Sequence, residues 1–521
     1  MSADRRFVTT PIYYVNDRPH LGHAYTSVAA DVVARWMRLR GEDVLFLTGT
    51  DEHGAKVEKA ARDAGEEPGP FTDRVSGAFR DLATTVGLSN DDFVRTTEPR
   101  HRAACEALWR RLAERGEIYL GQYEGWYAVR DEAFYGPDEV EERGGVRVAV
   151  ASGAPVEWTA EPSYFFRLSA WGERLIAHYV AHPEAIGPAT RRNEVLSFLR
   201  AGLQDLSVSR ATLRWGVPVP GDEAHVMYVW VDALANYLTA AGYPGDAPAW
   251  PADLHLVGKD ILRFHAVYWP ALLMAAGLPP PRRVFAHGWW TVEGQKMSKS
   301  LGNAVDPRAL VEEVGLDAFR YFLLREVPFG GDGDFSRWAL AARLNNELAN
   351  DLGNLAQRTL SLVARNLGGL RPALAEPTAE DRALLGPAEA LPATVEAAVI
   401  ERQAFHEALE AVWVVVRAAN AWIDAQKPWA LKKTDPERMA QVLAVLLQAI
   451  RVFATVLGPF MPGTTTRLLV QLGDPAAEAA AGGQGGRTAL AALSAPLPGG
   501  VALPPPEPLF RKVETTAPVE A

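Results

Sequence analysis

The chain has 521 residues, a formal net charge of −11, and 48% hydrophobic and 22% charged residues, an ordinary composition for a soluble globular protein. This length exceeds what one hydrophobic core usually serves, so two to four packed units are expected. The acidic balance excludes a generic electrostatic nucleic-acid binder, because such binding depends on neutralising phosphates with excess positive charge. Charge alone therefore favours an enzyme of small molecules, and any nucleic acid must be bound through a local patch.

The chain has one cysteine, Cys105, which excludes an intrachain disulfide and a thiolate-rich zinc site. Residues 1–10 lack the apolar stretch of a secretory signal. No run approaches the ~20 uninterrupted apolar residues that a membrane span needs. These features together predict a cytoplasmic protein without a membrane partner.

The first fifty residues predict a strand, a helix and a second strand. Residues 7–15 are rich in β-branched and aromatic side chains. An apolar stripe at helical spacing then runs from Tyr25 to the helix-ending Gly41, and residues 44–47 form an apolar strand that leads to Asp51. This order is typical of a parallel sheet with a right-handed crossover, whose ligands bind at the carboxyl ends of the strands.

The pattern changes after residue 115. Short β-like runs at 125–129 and 146–151 predict an insertion, and parallel-sheet strands are predicted again at 227–231, 254–257 and 284–286. A long helix is predicted over 310–325. From residue 344 the chain is rich in Ala and Leu at helical spacing, which predicts a separate bundle.

The predicted fold class is α/β: a doubly wound, parallel, Rossmann-like domain with an inserted mixed domain, followed by an α-helical bundle. The predicted divisions are the first half of the Rossmann-like domain at 1–115, the insertion at 116–226, the second half at 227–295, a loop and connecting region at 296–343, the bundle at 344–474, and an Ala/Gly/Pro-rich tail at 475–521. Leu509 and Phe510 are candidates to dock the end of that tail back on the body.

The first motif is His20-Leu21-Gly22-His23, at the predicted start of the first helix. Two imidazoles there can direct N–H donors to a place where the helix dipole and free amides favour an anion. Gly22 removes a side chain, so that a nucleotide can approach the backbone. The pair could stabilise charge on a phosphate in a transition state. A zinc-binding pair or ordinary surface histidines are the alternatives.

The second motif is the segment KMSKS at residues 296–300, after a strand and a turn, which predicts an exposed, mobile loop. Lys296 and Lys299 could hold the β- and γ-phosphates while pyrophosphate leaves. A solvated basic loop is the alternative, and it is the usual explanation for such a segment taken alone.

HLGH near the start of a βαβ unit, combined with KMSKS after a later strand of the sheet, resembles the class I aminoacyl-tRNA synthetases. Within that class the resemblance is closest to the methionyl-tRNA synthetases, and it extends over nearly the whole chain. The further matching segments are TPIYYVN at 10–16, TGTDEHG at 48–54, YVWVDAL at 228–234, GKDI at 258–261 and FH at 264–265.

The resemblance implies a methionine–tRNA ligase, which forms methionyl-adenylate from L-methionine and ATP with Mg²⁺. The methionyl group then passes to the 3′-terminal adenosine of tRNA(Met), initiator and elongator. The catalytic residues implied are His20, His23, Lys296 and Lys299. The ATP-binding residues implied are His20, Gly22, His23, Gly258, Asp260 and Lys299. The methionine-binding residues implied are Ile12, Tyr14, Asp51 (for the ammonium group), Trp230, Ala233, Tyr237, Ile261 and His265. The anticodon-binding residues implied are Asn350, Asn354, Arg358 and Trp429, and region 296–343 would contact the tRNA stem.

An aromatic pocket suits methionine, because contacts between sulfur and aromatic rings are favourable by roughly 0.3–1.5 kcal/mol. Tyr237 and His265 could offer the sulfur a polar hydrogen. For each aromatic side chain taken singly, core packing is the stronger interpretation. Without the resemblance, Asn350, Asn354 and Arg358 at i, i+4 and i+8 are a polar helix face, and Trp429 is a core residue.

The sequence departs from many relatives in two places. Ala128 and Asp131 stand where zinc-knuckle cysteines would fall, so no structural zinc and no other resident metal is expected, and the insertion should hold its shape by packing alone. No OB-fold pattern follows the Pro-rich tail, so a monomer is expected.

Other functions compete with this one. Synthetases for Val, Ile and Leu carry a larger editing insertion, and the enzyme for cysteine uses a zinc–thiolate site that one cysteine cannot supply. A nucleotidyltransferase of the same superfamily would not need the helical bundle. An inactive tRNA-binding paralogue is disfavoured by the two intact motifs.

Overall fold

A computed structural model describes residues 5–16, 18–131, 133–292, 295–296, 305–477 and 487–514. The strands are β1 (Arg6–Thr9), β2 (Tyr13–Tyr14), β3 (Val44–Asp51), β4 (Asp92–Arg95), β5 (Ile118–Ala128), β6 (Ala133–Tyr135), β7 (Val140–Arg143), β8 (Val146–Ala149), β9 (Glu157–Phe166), β10 (Ile186–Gly187), β11 (Leu206–Ser207), β12 (Ser209–Arg210), β13 (Pro218–Val219), β14 (Asp222–Met227), β15 (Leu254–Gly258), β16 (Val284–His287), β17 (Trp290–Val292), β18 (Gln295–Lys296) and β19 (Gly333–Phe335).

The α-helices are α1 (Leu21–Leu39), α2 (Ala55–Asp63), α3 (Pro68–Thr85), α4 (Pro99–Glu114), α5 (Gly172–Ala181), α6 (Ala189–Arg200), α7 (Val229–Ala241), α8 (Trp269–Ala275), α9 (Pro307–Val314), α10 (Leu316–Arg325), α11 (Arg337–Arg343), α12 (Asn354–Asn366), α13 (Ala379–Glu396), α14 (Phe405–Gln426), α15 (Pro428–Thr434), α16 (Pro436–Leu457), α17 (Pro462–Gln471) and α18 (Arg487–Ala492). Three stretches are π-helical: Phe264–Tyr268, Leu344–Gly353 and Ala397–Glu401.

The chain divides into two compact units, each built from several segments. The first unit comprises residues 1–19, 45–83 and 90–286, and the second comprises residues 20–44, 84–89 and 287–521.

The first unit is organised around a seven-stranded sheet in the order β10-β16-β15-β1-β3-β2, with β4 also paired to β3. The pairs β1–β15, β10–β16, β2–β3 and β3–β4 are parallel. All eight residues of β3 are buried, as expected for a central parallel strand. The α/β fold with a parallel sheet that was predicted from the sequence is confirmed.

Two predicted strands differ in the structure. Residues 7–15 form two strands, because Pro11 lies between them and has no N–H to donate to a ladder. Residues 227–231 are not a parallel strand. Met227 ends β14, which is antiparallel to β12 and β13, and Val229 begins α7. A short apolar run does not distinguish a buried strand from the start of a buried helix.

The insertion contains a long antiparallel pair, β5 and β9, whose outer end carries a small core of its own. That core consists of Ala128, Ala149, Ala154 and Val156, with Trp126, Tyr135 and Val140 packed against it. Asp131 accepts hydrogen bonds from the Tyr135 hydroxyl at 2.8 Å and from the Ser152 hydroxyl. The expectation of packing alone is therefore incomplete, since a carboxylate also ties this end of the insertion together.

The second unit is mainly helical. The single helix predicted over 310–325 is two helices, because Gly315, at φ +87°, separates α9 from α10 in a conformation that other residues avoid. Helix α16 is long and apolar enough to span a membrane, as is the stretch Ala379–Glu401, but α16 lies almost wholly buried in the bundle. It is the central helix of a helical core. The described part of the tail packs on the same bundle, where Arg371 donates to the carbonyls of Leu472 and Pro498.

A buried ion pair anchors α1 within this second unit. The fully buried Arg320 donates to Asp31 at 2.6 Å and to the carbonyls of Val86, Pro459 and Phe460. Burial alone would raise the pKa of Asp31, but the nearby guanidinium groups lower it to about 2. The helix that begins with the two histidines of the first motif is thereby held by a buried ion pair.

Candidate functional site

Helix α7 presents three of the predicted pocket residues on one face. Trp230, Ala233 and Tyr237 follow one another at i, i+3 and i+7, which places them along one side of an α-helix. All three are buried. The predicted pocket therefore has one wall built from a single element.

Aromatic rings surround the Trp230 indole. The Phe264 ring stacks on it at 3.7 Å between centroids, and Tyr14 and His265 meet it edge-on at 6.2 and 6.3 Å. The indole nitrogen of Trp230 is buried and has no hydrogen-bond partner among the described residues. The surroundings of this indole are thus aromatic and polarizable.

A chain of hydrogen bonds fixes the protons of Tyr237 and His265. The Nδ1 atom of His265 lies 2.9 Å from the Ile261 carbonyl, which can only accept, so Nδ1 carries a proton. Burial lowers the pKa of His265 to about 4, so its ring is neutral at pH 7 and its Nε2 atom is an acceptor. The Tyr237 hydroxyl, 2.7 Å from Nε2, is then the donor. Both polar hydrogens are used inside the protein.

A second histidine, His255, also lies against Tyr237. The ring of His255 lies 4.1 Å from that of Tyr237, and its Nδ1 atom is 2.7 Å from the Thr9 hydroxyl. Burial lowers the pKa of His255 well below its ordinary value. His255 was not among the residues predicted from the sequence, although its place in a strand that leads directly into Gly258 was a signal.

Asp51 ends β3 and is buried, with 2% of its surface exposed. Tyr14 lies directly beside it in the parallel pairing of β2 with β3. Two residues earlier, a Cβ atom on Gly49 would lie 2.1 Å from the Val94 carbonyl oxygen and 3.0 Å from the Ile12 side chain. Only glycine fits there, and this lets Ile12 pack beside the strand end.

The turn after Asp51 is fixed by hydrogen-bonded partners that the sequence did not indicate. Glu52 is fully buried and receives two hydrogen bonds from Arg95, at 2.6 and 2.9 Å. His53 donates from Nδ1 to Asp232 at 2.7 Å, and His101 donates to the other oxygen of Asp232, also at 2.7 Å. These pairs span the first unit and are separated by long stretches of sequence.

Gly258 and Asp260 lie at the carboxyl end of β15, which pairs with β1 in the centre of the sheet. Gly258 is half-buried, and Asp260 is exposed in the short 3₁₀ turn Lys259–Ile261. Both occupy the kind of position, beyond a parallel strand, at which such sheets bind ligands.

In the second unit, His20 and His23 form a capping box at the start of α1. The Gly22 N–H donates to Nδ1 of His20 at 3.1 Å, and the His20 N–H donates to Nδ1 of His23 at 3.0 Å. Since both Nδ1 atoms accept, both neutral rings carry their proton on Nε2. Desolvation lowers the pKa of His23 well below its ordinary value, and the neighbouring His20 lowers it further.

The packing of this cap explains why residue 22 is a glycine. A Cβ atom there would lie 3.0 Å from Cε1 and 3.2 Å from Nδ1 of His20, so a side chain would push the ring away from the helix end. His287, which the sequence analysis missed, supports the next turn through a 2.7 Å contact between its Nε2 atom and the Thr26 hydroxyl.

The second motif begins in a short strand outside the main sheet. The backbone of Lys296 pairs with Thr291 in the antiparallel pair β17–β18, within a three-stranded sheet of the second unit. The motif comes after β16, a strand of the main sheet, as the sequence predicted, and β17 of the smaller sheet lies between β16 and the motif. Residues 297–300, including Lys299, lie outside the described residues.

The predicted anticodon residues lie on two neighbouring helices. The Arg358 guanidinium is 5.5 Å from the centre of the Trp429 ring and donates to Asp424 at 2.7 Å. Trp429 is 46% exposed, so it is a surface residue and not a core one. Asn350 and Asn354 are also exposed, but Asn350 lies in a π-helical stretch, so the regular α-helical spacing that was predicted does not hold there.

Two family models match the chain. The model for class I tRNA synthetases (M) matches residues 6–144 and 146–360, and the model for the anticodon-binding domain of methionyl tRNA ligase matches residues 376–520.

Similar proteins cover nearly the same length. The methionine–tRNA ligase of Rickettsia conorii is 54% identical over 473 residues, which is 90% of this chain and 92% of the relative. That of Brucella suis is 51% identical over 515 residues, 98% of each chain. The structure of the Mycobacterium tuberculosis methionyl-tRNA synthetase in complex with methionyl-adenylate is similar at a TM-score of 0.94 and 48% identity, and covers 98% of this chain and 100% of that one.

Proposed function

The chain belongs to the class I methionyl-tRNA synthetases, and from that premise we propose how its residues carry out the two steps that join methionine to tRNA. Membership establishes the activity: methionine is activated with ATP and transferred to tRNA. The assignment of roles to residues rests above all on the neutral chain of hydrogen bonds through Tyr237 and His265 beside the Trp230 indole.

In the first step, the methionine carboxylate attacks the α-phosphorus of the ATP·Mg²⁺ complex in line, and pyrophosphate leaves. We assign His20 and His23 to the phosphates, because the capping box leaves both rings with a proton on Nε2. Neutral donors of this kind stabilise growing negative charge without changing their own protonation state. Lys296 and Lys299 are assigned to the departing pyrophosphate on the sequence motif alone.

Methionine is assigned to the aromatic site of the first unit. Asp51, a buried carboxylate at a strand end, binds the ammonium group. The thioether lies among the rings of Tyr14, Trp230 and Tyr237, with Ile12, Ala233 and Ile261 completing the pocket. Because Tyr237 donates to His265 and His265 donates to Ile261, the sulfur is recognised through polarizable ring contacts and not through their polar hydrogens.

Gly258 and Asp260 are assigned to the ATP ribose. In the second step, a hydroxyl of the terminal adenosine of tRNA(Met), initiator or elongator, attacks the activated carbonyl and releases AMP. The anticodon is assigned to the surface formed by Asn350, Asn354, Arg358 and Trp429, in which the exposed indole provides a stacking platform. The monomeric state, the cytoplasmic location and the absence of structural zinc stay predictions from the sequence.

Replacing His23 by Ala should lower the rate of adenylate formation by about 10²–10³, the usual effect of removing one preorganised donor to a charged transition state. ATP–pyrophosphate exchange measures this rate, and calorimetry should give an unchanged affinity for methionine. His182→Ala, at a histidine whose side chain is 55% exposed, serves as the matched control. Equal exchange rates in the two variants would remove His23 from the mechanism.

The affinity for L-methionine should be constant between pH 8 and about pH 5.5. The pKa of His265 is lowered to about 4, so its ring stays neutral over this range and charges only in stronger acid. Below about pH 5 the affinity should fall, because protonation places a charge in an apolar pocket. Calorimetric titration across pH tests this, and an affinity that falls around pH 6.5, the ordinary value for histidine, contradicts it.

Replacing Trp429 by Ala should raise KM for tRNA(Met) by about 5- to 150-fold, as expected for the loss of roughly 1–3 kcal/mol of base stacking. Exchange without tRNA should not change. Val414→Ala, at a similarly exposed apolar residue of the same bundle, is the control and should leave both assays unchanged. Loss of tRNA-independent exchange in Trp429→Ala would show that the tryptophan supports the fold and not the anticodon.

A further inference from the structure

Asp232 is a fully buried carboxylate on α7 that accepts from two imidazoles. His53 donates to one oxygen and His101 to the other, each at 2.7 Å. Burial alone would raise the pKa of Asp232, but the two histidines hold it below its usual range. The carboxylate is therefore ionised, and both of its oxygens are engaged.

This carboxylate lies on the back of the pocket helix. Asp232 follows Trp230 by two residues, and two residues turn an α-helix by about 200°, so the two side chains point to nearly opposite sides. Thr239, at i+7 from Asp232, shares the back face, where its hydroxyl lies 3.0 Å from Nδ1 of His101. Asp232 thus acts from the side of α7 that faces away from the pocket.

His53 connects this back face to the other wall of the pocket. It lies two residues after Asp51, in a turn that is fixed on several sides. The Trp215 indole donates to the Glu52 carbonyl at 2.5 Å, and the Gly54 N–H donates to the Trp215 carbonyl at 3.2 Å. The bond from His53 to Asp232 ties this rigid turn to α7.

We propose that Asp232, held between His53 and His101, is a positioning group that sets the separation between Asp51 and the Trp230 face of α7. Two fixed supports, the turn after Asp51 and helix α4, meet on one carboxylate of the pocket helix. When both hydrogen bonds to Asp232 are formed, one methionine molecule can contact Asp51 through its ammonium group and Trp230 through its side chain at the same time. The inference rests on the function proposed above.

The same cluster includes Cys105, and together His101, Cys105 and Asp232 bring three possible metal ligands within 4.8 Å of one another. Ligands of a tetrahedral zinc with bonds of ~2.1 Å stand roughly 3.4 Å apart. The His101 nitrogen and the Asp232 oxygen are only 2.7 Å apart, a separation typical of a hydrogen bond. In this arrangement the three groups form a hydrogen-bonded network.

Steady-state ATP–pyrophosphate exchange on the full chain tests the proposal. In His53→Ala, KM for methionine should rise by at least about 10-fold, since misplacing a substrate contact by ~1 Å can cost up to roughly 100-fold. KM for ATP should stay within about two-fold, and His53→Asn should largely restore KM for methionine, because the Asn amide can donate from nearly the position of Nδ1. His182→Ala is the surface control, and the thermal unfolding midpoint is measured for each variant.

The proposal is supported if KM for methionine rises in His53→Ala while KM for ATP does not, and if His53→Asn restores KM for methionine. An unchanged KM for methionine in His53→Ala overturns it, as does an equal rise of both KM values or a failure of rescue in a folded Asn variant. Asp232→Asn leaves two buried rings facing a neutral amide. If that variant does not fold, the two His53 variants still decide the question. A wild-type chain without methionine-dependent exchange would refute the proposed function, whereas an active wild type combined with no difference between the two KM changes in His53→Ala refutes only this inference.

Discussion

A carboxylate buried without a partner costs several kcal/mol, and Asp232 meets that constraint through two imidazoles contributed by different parts of the first unit. The helix that carries Asp232 also carries Trp230, Ala233 and Tyr237 on its other side. Because the network satisfies both carboxylate oxygens at once, α7 has one favourable setting relative to the turn after Asp51. The geometry proposed for methionine recognition depends on that setting.

The charges of the first unit are arranged so that the aromatic core around Trp230, Tyr237 and His265 stays uncharged. Glu52, beside Asp51, is matched by Arg95 through two hydrogen bonds, and Asp232 is matched by histidines behind α7. Within the aromatic part, His265 and His255 are kept uncharged by burial. The ammonium group of an amino acid therefore has Asp51 as its proposed counter-charge, while an uncharged side chain meets aromatic rings. This division suits methionine and disfavours charged amino acids.

The elements that the sequence predicted correctly are those determined by residues close together in the chain. The helix-ending Gly41, the strands β15 and β16, and the histidine pair at the start of α1 all follow from neighbouring residues. The predictions for residues 227–231 and 310–325 were wrong for local reasons as well. A short apolar run fits both a strand and a buried helix, and a single glycine can divide one predicted helix into two. The positive φ of Gly315 shows the second case.

What the sequence could not show are the pairings that depend on tertiary contact. His53 and Asp232 are 179 residues apart, and His101 and Asp232 are 131 apart, so no spacing relates them. The proton positions of Tyr237 and His265 depend on where the Ile261 carbonyl points, which composition does not reveal. The motifs therefore indicated the chemistry, whereas the supporting network is visible only in the folded structure.

A crystal structure of the chain with bound L-methionine is the most direct test of the proposed recognition. The account predicts the ammonium nitrogen within hydrogen-bonding distance of the Asp51 carboxylate and the sulfur in contact with the rings of Trp230 and Tyr237, with the Asp232 hydrogen bonds intact. Methionine bound away from Asp51, or a sulfur that accepts a hydrogen bond from a Tyr237 hydroxyl turned away from His265, would contradict it.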